Sequence, residues 1–358
     1  MPKVAALCRR LSALLLALPP SLGLVGGATA QSAGVAHVSG RLHAADIGLV
    51  INAADPDSVA VGEYYARARG LAPAQVLRVT LPRKPVLSVE EFEGLREAVE
   101  RHFGPATQAL ALAWTEPWAV GCNSITGALT LGFDAALCHH SCEASRLSPY
   151  LNSATARPFS DLGIRPSMLL AGHSVEAALA MIDRGVAADA RLGLRGAPPV
   201  TALFLSTHDV ARNVRSRLYP PPGPIGHFGV EVEVQAADEL RPPLHVLLLQ
   251  TGSARLPEVE ALRWVDGALA DHLTSFGGQL TGGHGQSTAL DWLDAGATAS
   301  YGNVSEPCNH VQKFPHPGLL LALYLQGSTA IEAYWKSVAW PQQGLFVGEP
   351  LAAPFGRR

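Results

Sequence analysis

Short, continuously apolar runs alternate along most of this chain with helix-patterned segments, and this alternation restricts the fold more than any other feature. Residues 46–53 (DIGLVINA) read as a first buried strand. Asp57 and Ser58 then cap a helix through Tyr64 and Tyr65 that stops at Gly70. Residues 75–81 give a second strand. Ser88 with Glu91 forms a capping box ahead of Phe92, Leu95 and Val99 at helical spacing. Residues 109–114 give a third strand. Between 115 and 165 the pattern dissolves into a Gly-, Cys-, Asn- and Pro-containing stretch. It resumes with a strand at 167–171 and a helix at 174–188. Strands are expected at 200–206, 230–234 and 244–250, then helices at 258–273 and 287–293 and a strand at 297–301. Two helices near 318–325 and 329–338 close the order. Such alternation predicts an α/β fold with a mostly parallel, doubly wound sheet covered on both faces. No repeat or linker divides it, so 46–355 is read as one domain carrying 115–165 as an insertion, after an N-terminal extension at 31–45.

The first 30 residues carry a different signal. Lys3, Arg9 and Arg10 make a positive start, residues 11–18 are an apolar run, and Ala28-Thr29-Ala30 offers a small-residue cleavage site. The run is too short to span a bilayer. The expectation is a signal peptide at 1–30, a mature chain starting at Gln31, and a periplasmic or extracellular protein with no transmembrane anchor after cleavage. The removed segment holds three of the 27 basic residues and no acid, which leaves 24 basic against 30 acidic side chains. That acidic balance gives no electrostatic reason to expect nucleic acid as a partner.

Four cysteines follow the signal: Cys122, Cys138, Cys142 and Cys308. An even count in an exported chain predicts two disulfides, with three possible connectivities. The pairing favoured is Cys138–Cys142, local in sequence, with Cys122–Cys308 joining distant segments. Residues 138–142 (CHHSC) also hold zinc-ligand types, but the spacing is not that of a standard finger. Oxidation is the preferred reading, and no metal or other cofactor is assigned.

Three further motifs carry candidate chemistry. Residues 171–176 (AGHSVE) follow a strand and open a helix, as a nucleophile elbow would, but Glu176 stands where a small residue is needed. Ser174 is therefore read as a helix cap. His284 and Cys308 lie near neighbouring strand ends and could form a thiolate–imidazolium dyad, provided Cys308 is free. Thr207-His208-Asp209 ends a strand and is followed by Arg212, Arg215 and Arg217, which suit either an anionic ligand or a solvated helix face.

Several uncommon words recur in order along the chain: EYYARARGL (63–71), GCNSITGA (121–128), MIDRGVAAD (181–189), DVARNVR (209–215), DHLTSFGG (271–278), GATASYGNVSEPCN (296–309) and EAYWKSVAWPQQGLFVGEPLAAPF (332–355). In these the chain resembles an uncharacterised family of exported bacterial proteins from genomes that encode exosortase. The family implies no particular activity. The chain is also similar to gingipain-type, caspase-like cysteine peptidases, in 296–302 (GATASYG), 327–333 and Gly348-Glu349-Pro350. That similarity implies a caspase-like fold. Where those peptidases place a His-Gly, this chain has Thr251-Gly252. Where they place a cysteine, it has Ser275.

Together these readings predict a non-catalytic, peptidase-like envelope protein that binds a peptide, a glycan or another envelope protein. The alternative is a cysteine hydrolase using Cys308 and His284. Any ligand is expected beyond the strands' carboxyl ends, where four stretches (115–126, 207–212, 275–285 and 303–313) should meet. They carry Glu116, Cys122, Asn123, His208, Asp209, Ser275, His284, Glu306 and Lys313.

Overall fold

A computed structural model describes residues 34–256, 259–282 and 284–357; the expected signal peptide lies outside them. Strand β1 (Ile47–Asn52) is buried on both faces and feeds helix α1 (Pro56–Arg69). The cap of α1 is Asp55, whose carboxylate accepts from the Asp57 N–H, rather than Asp57 or Ser58. Pro56 occupies the first helical position, where its missing N–H costs nothing. Ser58 instead turns inward, and its hydroxyl accepts from the Asn52 N–H. Strand β2 (Val76–Val79) and the two-residue β3 (Val86–Leu87) lead to α2 (Val89–His102). There the Ser88–Glu91 capping box is present and Phe92, Leu95 and Val99 form the buried face. Strand β4 (Ala109–Leu112) follows.

The expected irregular insertion is more ordered than its composition suggests. Short strands β5 (Ala119–Val120) and β6 (Asn123–Ser124) join β3 in a small three-stranded sheet. Helix α3 (Ile125–Leu131) is capped by Ser124, and a short α4 (Pro158–Leu162) precedes β7 (Ser167–Leu169). Helix α5 (Val175–Ala188) opens on Ser174, whose hydroxyl accepts from the Ala177 N–H, so Ser174 is a cap.

Strands β8 (Val200–Ser206), β9 (Gly223–Ile225), β10 (Val230–Ala236) and β11 (Val246–Thr251) build the second half of the main sheet. The helix expected at 258–273 does not form. In its place β12 (Trp264–His272) runs parallel to β11, fully buried from Gly267 to His272. Val259, Leu262, Val265, Leu269 and Leu273 recur at three- and four-residue spacing, which reads as a helix, and only the flanking strands impose the extended form. Helix α6 (Ala289–Ala295), β13 (Ala299–Asn303), α7 (Pro317–Leu325) and α8 (Ala330–Trp335) come next. A strand with no sequence expectation, β14 (Gly344–Gly348), completes the order.

The main sheet has eleven strands in the order β2-β1-β4-β7-β14-β13-β12-β11-β8-β10-β9. Neighbours within each half run parallel, except the antiparallel pairs β13/β14 and β10/β9. The α/β class with a large, mostly parallel sheet is thus as expected. β14 joins the halves: it pairs along its whole length with β13 and touches β7 through one bridge, Val347 with Leu169. Its glycines allow that fit. A side chain at Gly344 would overlap the Tyr301 hydroxyl, and Gly348 sits at φ 139° against Ala299. Trp335 of α8 stacks on Phe346 of β14 with ring centroids 4.2 Å apart, sealing the junction. Arg69 at the end of α1 grips Glu349 through two hydrogen bonds of 2.9 and 2.5 Å. The expected extension at 31–45 packs on this body where it is described: Leu42 is buried and its N–H donates to Glu332.

Candidate functional site

Loops that follow strands of both halves meet. The Thr281 hydroxyl, beyond β12, donates to Glu116, beyond β4, at 2.6 Å. Ser305, beyond β13, donates to the carbonyl of Cys122 at 2.6 Å. The Gln279 amide reaches the Val304 carbonyl, and Gly278 lies against Gly302 so closely that a side chain on either would overlap backbone. The four expected stretches therefore converge, but they divide into two clefts of about 240 Å³ each.

One cleft is walled by Arg212, Thr274, Ser275, Glu306 and Cys308. Arg212 donates to Asp209 at 2.8 Å and to the Thr274 hydroxyl at 3.2 Å. Burial alone would raise the Asp209 carboxyl; the Arg212 guanidinium and N–H more than offset it and hold Asp209 below the usual carboxylate range. Glu306 accepts the Cys308 N–H at 2.7 Å. The other cleft lies beyond β1, β4 and β7, lined by Asp55, Trp114, Glu116, His173 and Thr281 among others. Glu116 and Glu306 thus do not share a cavity, contrary to the expected single site.

The remaining expected residues sit apart from either cavity lining. Asn123 is buried and holds Asp134 through a pair of bonds, N–H to side-chain oxygen and side-chain amide to carbonyl. His208 is exposed beside Asp238 at 3.2 Å. Lys313 is fully buried and donates to the Ser141 carbonyl; burial lowers its pKa to about 8 against the raising effect of Glu306. His284 is exposed at φ 47° and rests on the Phe276 ring, centroids 4.8 Å apart.

The disulfides correct the expected pairing. Cys122 bonds Cys138, with Cα atoms 5.1 Å apart, and Cys142 bonds Cys308, with Cα atoms 5.2 Å apart. The turn after β5 returns Cys122 to the short helix that carries Cys138, a proximity that sequence spacing does not encode. Cys308 cannot act as a nucleophile while its sulfur is bonded to Cys142. Cys138 and Cys142 are likewise oxidised, so neither offers the thiolate that a zinc site at 138–142 would need. Among the described residues no group of three or more His, Cys, Asp or Glu side chains is placed to hold a metal ion.

Of the three arginines expected to be solvated or to meet an anion, Arg217 is exposed and Arg212 lines the cleft, but Arg215 departs from both readings. Arg215 is neither solvated nor open to an anion; it is buried against Asp271, the Thr251 carbonyl and the Pro315 carbonyl. Thr274 and Gln286, which donate and accept at the cleft's base at 2.6 Å, escaped sequence reading. The signal that could have found Thr274 is its position two residues after a strand, which the helix reading of 258–273 concealed.

A larger cavity, about 820 Å³, lies elsewhere, between α2, α3 and α4. Arg165 there donates to the carbonyls of Phe103, Gly104 and Thr107 and stacks on the Phe159 ring. Its charge already serves the carboxyl end of α2. Size alone does not make this the site, because the stretches singled out by the sequence line the clefts at the strand ends.

No protein-family model matches the chain. No curated protein matches it either. Among solved structures, the chain is similar to the Arg-specific cysteine proteinase gingipain R, at 11% identity and a TM-score of 0.42, over 86% of this chain and 78% of that one. The architecture described above rests on this chain's own strands.

Proposed function

We propose that this is an exported envelope protein that binds a polypeptide segment, without cleaving it, in the cleft between Arg212 and Glu306. The observation that carries the reading is the cleft's lining. A cationic guanidinium, a carboxylate and the Ser275 hydroxyl open on one small cavity whose cysteine is oxidised. Arg212 and Ser275 bring donors and Glu306 an acceptor to the same cavity, which suits the mixed polarity of a peptide backbone. A volume of about 240 Å³ admits one or two side chains rather than a large cofactor. The two disulfides favour an oxidising compartment. No helix among the described residues is long and apolar enough to cross a membrane. The sequence resemblance to exported proteins of exosortase-encoding bacteria supports the envelope.

The test is selection of a displayed random dodecapeptide pool on the oxidised protein, with recovered peptides checked by mass spectrometry. Intact peptides that bind about tenfold more weakly to Arg212→Ala support the reading, a loss matching one charge-assisted hydrogen bond. Cleavage of the pool, or affinity unchanged in both Arg212→Ala and Glu306→Gln, would overturn it. For export, N-terminal sequencing of envelope material should begin at Gln31.

A further inference from the structure

We infer that the Cys142–Cys308 disulfide is an exchangeable latch, opened in the folded protein by an external dithiol that attacks Cys142. This goes beyond the binding reading and does not depend on it. Cys142 is exposed, in a segment from His139 to Leu147 that carries little buried surface. Besides the disulfide, the long-range anchors of that segment are two side-chain bonds to carbonyls: Lys313 to Ser141 and Arg146 to Leu131. Its far end is fixed again at Ser148, whose N–H donates to Ala339. On the other side of the bond, Cys308 and Asn309 both sit in the left-handed region, at φ 54° and 50°. Cysteine disfavours that backbone, so losing the bond lets it relax.

The second disulfide has no such freedom. Cys122 lies between β5 and β6, Asn123 clamps Asp134, and Leu137 next to Cys138 is buried. Its two sulfurs stay side by side if reduced, and an intramolecular thiol at high effective concentration re-forms the bond. Opening of the Cys142–Cys308 bond instead frees one partner to swing away.

The exchange balances in two steps. A thiolate of the external dithiol bonds Cys142 Sγ, breaking its bond to Cys308, and Cys308 leaves as a thiolate that takes up a proton in the cleft. The second external thiol then bonds the first, breaking the mixed disulfide and releasing Cys142 as a thiol. Two electrons pass from the dithiol to the pair, and the dithiol leaves as a disulfide. The product has a free thiol in the wall of the Arg212–Glu306 cleft.

The test titrates the folded protein with dithiothreitol and reads all four cysteines by isotope-coded alkylation, with far-UV circular dichroism followed in parallel. The expected result is that Cys142 and Cys308 alkylate together, at least about tenfold faster than Cys122 and Cys138, with the spectrum unchanged. Hydrogen exchange should quicken over 139–147 at the same dose. The inference is overturned if Cys122–Cys138 opens first or at an equal rate, or if Cys308 is released only as the spectrum is lost.

Discussion

Arg215 and Asp271 form an ion pair at 2.5 Å beneath the Arg212–Glu306 cleft, with both side chains withdrawn from solvent. Arg215 arrives from the short helix Asn213–Leu218 after β8, and Asp271 stands on β12, so the pair ties the loop that carries Arg212 to the strand that leads to Thr274. Gln250 on β11 donates to the second carboxylate oxygen at 2.8 Å. Burying one charge without the other is the costly event here, more than the net worth of the pair.

Arg215→Met and Asp271→Asn should therefore each lower unfolding free energy by about 3–5 kcal/mol, because each leaves its partner buried and uncompensated. The double variant should lose clearly less than the two losses added together. Urea denaturation of the four proteins measures this cycle. Additive losses would show that the pair is not coupled.

His272, next along β12, gives the protein a specific acid sensitivity. Its Nδ1 accepts from the Trp292 indole at 2.8 Å and its Nε2 faces the Ser287 carbonyl at 3.1 Å, which fixes a neutral ring protonated on Nε2. Burial lowers its pKa from 6.5 to about 3. In the unfolded chain the ring takes a proton near its ordinary value, whereas the folded protein refuses it. The contribution of neutral His272 is intact above about pH 6.5 and is lost as pH falls toward 3, by up to about 1.4 kcal/mol per pH unit. Stability measured from pH 7 to 4 should show this slope, and His272→Gln should flatten it by one proton.

The meeting of β13 with the 277–278 turn depends on bare backbone. A Cβ at Gly302 would stand 2.2 Å from the Gly277 carbonyl carbon. Gly302→Ala should cost about 1–3 kcal/mol and displace the loop bearing Thr274 and Ser275. Faster hydrogen exchange over 273–282 than in the native protein is the expected readout. Native exchange with native stability would mean the turn moves aside freely.

The two disulfides close very different separations, 16 and 166 residues. Chain entropy sets upper limits of about 3 kcal/mol for the first and about 5 for the second. Cys138→Ser should thus be milder than Cys308→Ser, and Cys142→Ser should equal Cys308→Ser because both delete the same bond. Thermal unfolding of the three variants under non-reducing conditions gives the ranking.

Local chemistry made much of this protein legible in its sequence. The capping box at Ser88, the cap at Ser174 and the buried run at 47–52 announce themselves because a helix end or a two-sided strand imposes its needs within a few residues. The α/β class follows from their alternation. Three features did not follow. The strand character of β12 required β11 and β13 on its flanks, since the spacing of its apolar residues also fits a helix. The place of β14 was hidden because a five-residue segment with a glycine at each end becomes a strand only through the pairing that β13 supplies. Cysteine pairing and the division into two clefts were set by how far loops travel before they meet, as Thr281 meets Glu116 and Cys142 meets Cys308. Sequence by itself determined which residues needed burial, caps and turns. Only the tertiary structure decided which distant side chains share a cavity, because that depends on strand order, which no local preference encodes.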